Sequence, residues 1–206
     1  MQPKRDRNFL EAFLQNAEAG VDLLTDNEAV RAVPVIGTAF KLCKGLDDLR
    51  SKILAAKLRR FLSDPNLQSE SARDKIKRKI LEDEDQASAV GEALFLVLDR
   101  LTDLDKPTVL AKAYVAYLDD LMSSTDLRRM AQAIDLAFAD DLLAFLESDQ
   151  LHLHDDTKPW MTLLESTGLT SSTVNRAPPG LARTSRSVTA VGHSLWKAWR
   201  YAPTET

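Results

Sequence analysis

Cysteine is all but missing. Cys43 is the only one among 206 residues, so no internal disulfide can form, and a reducing cytoplasm is the expected compartment. Glycine (7) and proline (8) are few, and most of both lie outside the long periodic stretches. That distribution argues against a many-turned β fold and for helices. Aromatics make up 6 %, so Leu and Ala must carry most of the packing. No run approaches the roughly 20 consecutive apolar residues that span a bilayer. The best candidate, AVPVIGTAF at 32–40, runs straight into Lys41 and Lys44. The opening MQPKRDRNF is polar and offers no apolar stretch before Glu11, so no secretory signal is expected. Gly-x-Ser-x-Gly, phosphate-cradling glycine loops and the dinucleotide fingerprint are absent too.

What is present is enough apolar material, 44 %, to build a core for one domain with a small appendage. The net charge of −4 is unevenly spread. From Thr157 onward six basic residues (Lys158, Arg176, Arg183, Arg186, Lys197, Arg200) face two acidic ones (Glu165, Glu205), a surplus of +4, so the preceding part carries −8. An acidic body with a basic tail region points to two surfaces with different partners.

The apolar spacing reads as helices. Residues 6–24 place Phe9, Leu10, Phe13, Leu14, Ala17, Val21 and Leu24 on one face. A second helix is predicted from about Ile36 to Leu62, stopped by Asp64-Pro65-Asn66. A charged helix follows over about Ser69 to Asp85, where Arg73 to Lys79 precede Glu82-Asp83-Glu84-Asp85, an order that opposes the helix dipole. Ala87 to Leu101 forms the next. Asp105 and Pro107 open a helix reaching about Met122, and Ser124 or Thr125 caps another over Leu127 to Leu146. Short connections make 87–146 a series of antiparallel neighbours. Beyond Leu151 a short helix at Trp160–Ser166 ends at Gly168, a Ser/Thr-rich stretch brackets Pro178-Pro179-Gly180, and a last helix covers about Ala190 to Tyr201. Helix, turn and helix outline a small helix-turn-helix or winged-helix-like element. The flanks of the turn are short on β-branched residues, which leaves a hairpin there open.

Two stretches carry a resemblance. VPVIGTAFKLCKGLDDLRSKILAAKLRRFL (33–62) resembles the N-terminal signature of a group of small uncharacterised helical bacterial proteins, with Pro34, Gly37, Lys44, Arg50, Lys57, Leu58, Phe61 and Leu62 at the matching positions. LVLDRLTDLDKPTVLAKAYVAYLDD (96–120) is similar to the second half of the same group. The likeness covers about the middle half of the chain. It implies a helical bacterial protein of a kind met near mobile or anti-phage genes, and it brings no catalytic residues.

Candidate chemistry is sparse. His152, His154 and Asp155 form a short alternating cluster of metal-ligand type; as a polar loop they need no metal. Paired carboxylates recur at Asp47-Asp48, Asp119-Asp120 and Asp140-Asp141, with Glu92, Asp99 and Asp103 nearby. Only Glu82-x-x-Asp85 approaches the spacing of an all-α, metal-dependent phosphohydrolase, the least unlikely enzyme reading, and adjacent aspartates on a helix diverge. Cys43 sits among Phe40, Leu42 and Leu46, where a buried thiol is the default. Lys57-Leu58-Arg59-Arg60 and Arg73–Lys79 read as solvated helix faces. Arg176, Arg183, Arg186, Lys197 and Arg200 make a set suited to phosphate contact, though no helix is dense in side chains directed at base edges. Val35, Ile36 and Phe40, followed by Lys41 and Lys44, fit either an interfacial membrane or partner segment or, better, a buried helix.

The expectation is therefore an all-α multi-helix bundle, residues 1–151, with a small basic C-terminal unit, 157–206. Its function is expected to be non-enzymatic, without cofactor: a cytoplasmic bacterial interaction or regulatory protein acting through a protein partner, in anti-phage defence or a mobile element. Nucleic-acid binding by the C-terminal unit and membrane action by segment 33–42 are the alternatives. Partner identity and oligomeric state are open.

Overall fold

The computed structural model describes residues 49–149, 151, 158–175 and 183–203. The predicted helix over 6–24, the segment around Pro34 and Cys43, and the Pro-Pro-Gly turn lie outside the described residues. Among those described, helices dominate and one two-stranded sheet is present. The chain divides into two compact units, Met1–Ala111 and Lys112–Thr206, with the division inside a helix.

In the first unit, α1 (Leu49–Leu62) buries Leu54, Ala55, Leu58, Phe61 and Leu62 at spacings of three and four, the stripe of a core-facing helix. Asp64 stops it and starts the next turn: its carboxylate accepts from Asn66 N at 2.9 Å, ahead of Pro65 at the head of α2 (Pro65–Gln68). Ser69 caps α3 (Glu70–Glu82) through Ala72 N. Only Ala72 and Ile76 of α3 are buried, a thin stripe packed on α4 (Glu84–Arg100). The charged helix predicted to reach Asp85 therefore ends early. Asp83 caps α4 by accepting from Gln86 N at 2.9 Å, which places Glu84 and Asp85 in the first turn of α4. There the carboxylates favour the dipole that they would have opposed at the end of one long helix. Val90, Leu94, Val97 and Leu98 form the buried face of α4, as its periodicity predicts.

The helix α5 (Lys106–Leu118) gives its last seven residues to the second unit. It ends in two reversed hydrogen bonds, Leu121 N to Ala116 O at 3.0 Å and Asp120 N to Tyr117 O at 3.1 Å, with Asp120 left-handed at φ 58°. This closure normally takes glycine or asparagine. Tyr114 is buried, and burial, with Tyr117 beside it, pushes its phenol well above the ordinary range.

The predicted Leu127–Leu146 helix is two helices. Ser123 caps α6 (Ser124–Leu136), and α7 (Ala139–Glu147) begins after a break at Ala137-Phe138. Further along the chain come α8 (Trp160–Leu163), a 3-10 turn (Glu165–Thr167) and Gly168 at φ 78°. A hairpin does form: β1 (Thr170–Asn175) and β2 (Arg183–Val188) are antiparallel, with Ser171 opposite Ser187 and Thr173 opposite Ser185. Hydroxyl contacts at 3.3 and 2.9 Å join these pairs across the strands. Glu165 accepts from both Ser172 N and Ser172 Oγ, covering part of the β1 edge. Thr189 then caps α9 (Ala190–Arg200). At Gly192 the helix backbone lies so close to Leu169 that a Cβ would fall 2.2 Å from its carbonyl oxygen. The helix α9 packs on α6 and α7.

Candidate functional site

The basic set expected to meet phosphate is scattered in its roles. Arg176 lies outside the described residues, and Arg183 pairs through its backbone with Asn175, the last pair before the connection between the strands. Arg186 is half-buried opposite Ser172, and Lys197 is exposed on α9. Arg200, although exposed, is turned back onto α7. Its guanidinium stacks 4.0 Å over Trp196 and donates to Leu146 O and Ser148 O, while Trp196 Nε1 donates to Ser148 O at 3.0 Å. These are the last carbonyls of α7, so Arg200 and Trp196 close that helix. Next to Arg200, Tyr201 has its phenol pushed up, first by desolvation and then by the charge and hydrogen bond of Asp119.

Lys57, expected on a solvated face, is instead 6 % exposed, with Nζ donating to Asp99 O at 2.8 Å. The reason is the end of α4, whose carbonyls need a donor. Arg50 meets the Asp99 carboxylate at 2.8 Å, and Arg60 meets Asp105 at 3.0 Å.

The Glu82-x-x-Asp85 pair does not share a helix. Glu82 closes α3 beside Arg78 and Lys79, and Asp85 belongs to the next helix. No group of three or more His, Cys, Asp or Glu able to hold a metal occurs among the described residues. His152, His154 and Asp155, like Val35, Ile36 and Phe40, lie outside the described residues. Among the described residues no helix is long and apolar enough to cross a membrane.

One feature went unrecognised in the sequence. Between α6 and α7, Ala137 and Phe138 are both extended (φ −67°, ψ 145° and φ −70°, ψ 136°). Ala137 is buried, whereas Leu136 is 59 % and Phe138 66 % exposed. Phe138 occupies the N-cap of α7 and makes no side-chain cap bond there. Asp64, Ser69, Asp83, Ser123 and Thr189 all make such a bond at the heads of α2, α3, α4, α6 and α9. Phe138 thus serves neither the core nor the cap. A signal was available: Asp140 and Asp141 are first-turn acids, which mark a helix start just before them.

No family model, no curated protein and no solved structure matches the chain. An exposed leucine and an exposed aromatic on either side of a buried alanine, at the junction of two helices, form an apolar step of the sort that anchors a protein contact.

Proposed function

We propose that the chain is a non-enzymatic interaction or regulatory protein that acts through a protein partner, held at Leu136 and Phe138. The supporting observation is the position of Phe138: an aromatic, two-thirds exposed, where five other helix starts carry a capping side chain. A bacterial, cytoplasmic setting in anti-phage defence or a mobile element belongs to the same proposal and rests on the resemblance of 33–62 and 96–120.

The test is Phe138→Ser. Serine is a good N-cap, so the substitution raises stability by about 1 kcal/mol while removing the anchor. Affinity capture from the native cell, after nuclease treatment, is expected to recover a stoichiometric protein with the wild type and to lose it with the variant. Equal recovery by both would mean that the step does not hold the partner. A melting temperature for the variant at or above that of the wild type separates a lost contact from unfolding.

A second reading, nucleic-acid binding by a winged-helix-like C-terminal element, is favoured by the hairpin between the 3-10 turn and α9. Its candidates are Arg183, Arg186 and Lys197, since Arg200 is bonded to α7. Salt-dependent binding of duplex DNA that disappears when those three are changed to Gln supports it. Binding that is unchanged by those substitutions removes it.

A further inference from the structure

The interaction reading leaves open what the apolar step takes, and the charge around it narrows the answer. Asp140 and Asp141 stand in the first turn of α7, two and three residues past Phe138, and Asp135 directly precedes Leu136. From Met130 to Thr157 the sequence holds seven carboxylates and no Lys or Arg. The step is therefore an apolar anchor point flanked by negative charge on both sides along the chain. Resting on the interaction reading, we infer that the Leu136–Phe138 step binds a basic amphipathic segment of its partner, apolar side chains on Leu136 and Phe138 and Lys or Arg toward Asp140 and Asp141.

Other occupants fit less well. A nucleic acid would bring its phosphates against Asp140 and Asp141. A second copy presenting the exposed Leu81 would bring Glu82-Asp83-Glu84-Asp85 with it, setting like charge against like. Juxtaposed like charges reject a partner, whereas complementary ones raise its association rate and fix its register.

The probe is a labelled helical peptide of Leu and Lys, with a Leu/Glu peptide of the same apolar face as its counterpart, each titrated into the full chain and followed by fluorescence anisotropy. The Leu/Lys peptide is expected to bind, and the Leu/Glu peptide to bind at least tenfold more weakly. Phe138→Ser lowers the affinity for Leu/Lys tenfold or more. The Asp140→Asn/Asp141→Asn double variant lowers it severalfold and flattens its salt dependence. Val174→Ser, which removes an equally exposed apolar side chain on the hairpin, leaves it unchanged. Leu/Lys binding that survives Phe138→Ser, or equal affinity for Leu/Glu, overturns the inference. Self-association of the wild type in sedimentation, lost with Phe138→Ser, would give the step to a second copy and overturn it as well. If a native partner is captured through Phe138 but the Leu/Lys peptide does not bind, this inference fails and the interaction reading stands. If neither depends on Phe138, both fail.

Discussion

Each unit closes a helix C-terminus with a cation from another helix, and the two closures differ in kind. In the first unit the ammonium of Lys57, almost fully buried, donates to Asp99 O near the end of α4. In the second, the guanidinium of Arg200, on a largely exposed residue, forks between Leu146 O and Ser148 O and stacks on Trp196, which itself donates to Ser148 O. Both answer the same need, the orphan carbonyls of a last turn and the negative end of its dipole. Lysine supplies a point charge on a flexible stem that packs along apolar surface, whereas arginine supplies a planar fork able to serve two acceptors. Burial makes the first closure expensive to break, and redundancy makes the second tolerant.

The largest effect is expected at the buried closure. Lys57→Ala removes a buried stem and leaves Asp99 O without its donor, costing about 3 kcal/mol. Lys57→Met, which keeps the stem, costs about half as much, so the pair measured by urea denaturation separates packing from bonding. If both variants cost under about 0.5 kcal/mol, the closure of α4 does not depend on Lys57. Arg200→Ala is expected to cost about 2 kcal/mol, reduced from the buried case because Trp196 still holds Ser148 O. Arg200→Lys recovers less than half of it, since an ammonium does not reproduce the fork.

Alkali sharpens the comparison from another side. The buried Tyr114 belongs to the second unit, and its phenol in the folded chain ionises well above the ordinary value of 10. Below pH 10 both states keep the proton and stability is at its full value. Above it the unfolded chain releases a proton that the folded chain retains, so stability falls by up to about 1.4 kcal/mol per pH unit. Stability measured between pH 9 and 11 should show this slope, and Tyr114→Phe should flatten it. The smallest effect is expected at the surface: Arg50→Ala breaks an ion pair whose arginine is 83 % exposed and should change stability by less than about 0.5 kcal/mol.

Much of the helical outline was legible because its signals are local. The stripe of α4, the stop at Asp64-Pro65 and the turn at Gly168 all follow from spacing, capping and glycine. Two breaks escaped. At Asp83 the acidic run read as the tail of one helix, although the same residues cap and charge the start of the next. At Ala137-Phe138 no Gly, Pro or capping residue marks the junction, and apolar residues continue through it. The hairpin was left open because the flanks of the turn read as short on β-branched residues, although Thr170, Thr173, Val174, Thr184 and Val188 all lie in its strands. The roles of Lys57 and Arg200 were illegible for a different reason. Their partners lie 42 and about 50 residues away and are backbone carbonyls, which no side-chain motif announces. Phe138 was hidden by the same junction that gives it meaning: inside one continuous helix it reads as core.

Gly192 has a consequence for tracing ancestry. Its missing side chain is what lets α9 lie against Leu169 O, and no other residue occupies that position without moving the base of the hairpin. Descendants of a common ancestor that keep this arrangement must keep the glycine, however far the rest of the chain has drifted. A glycine three residues after a capping Thr, itself twenty residues beyond a Leu that follows a left-handed Gly, is thus a lasting mark by which lost kin can be recognised.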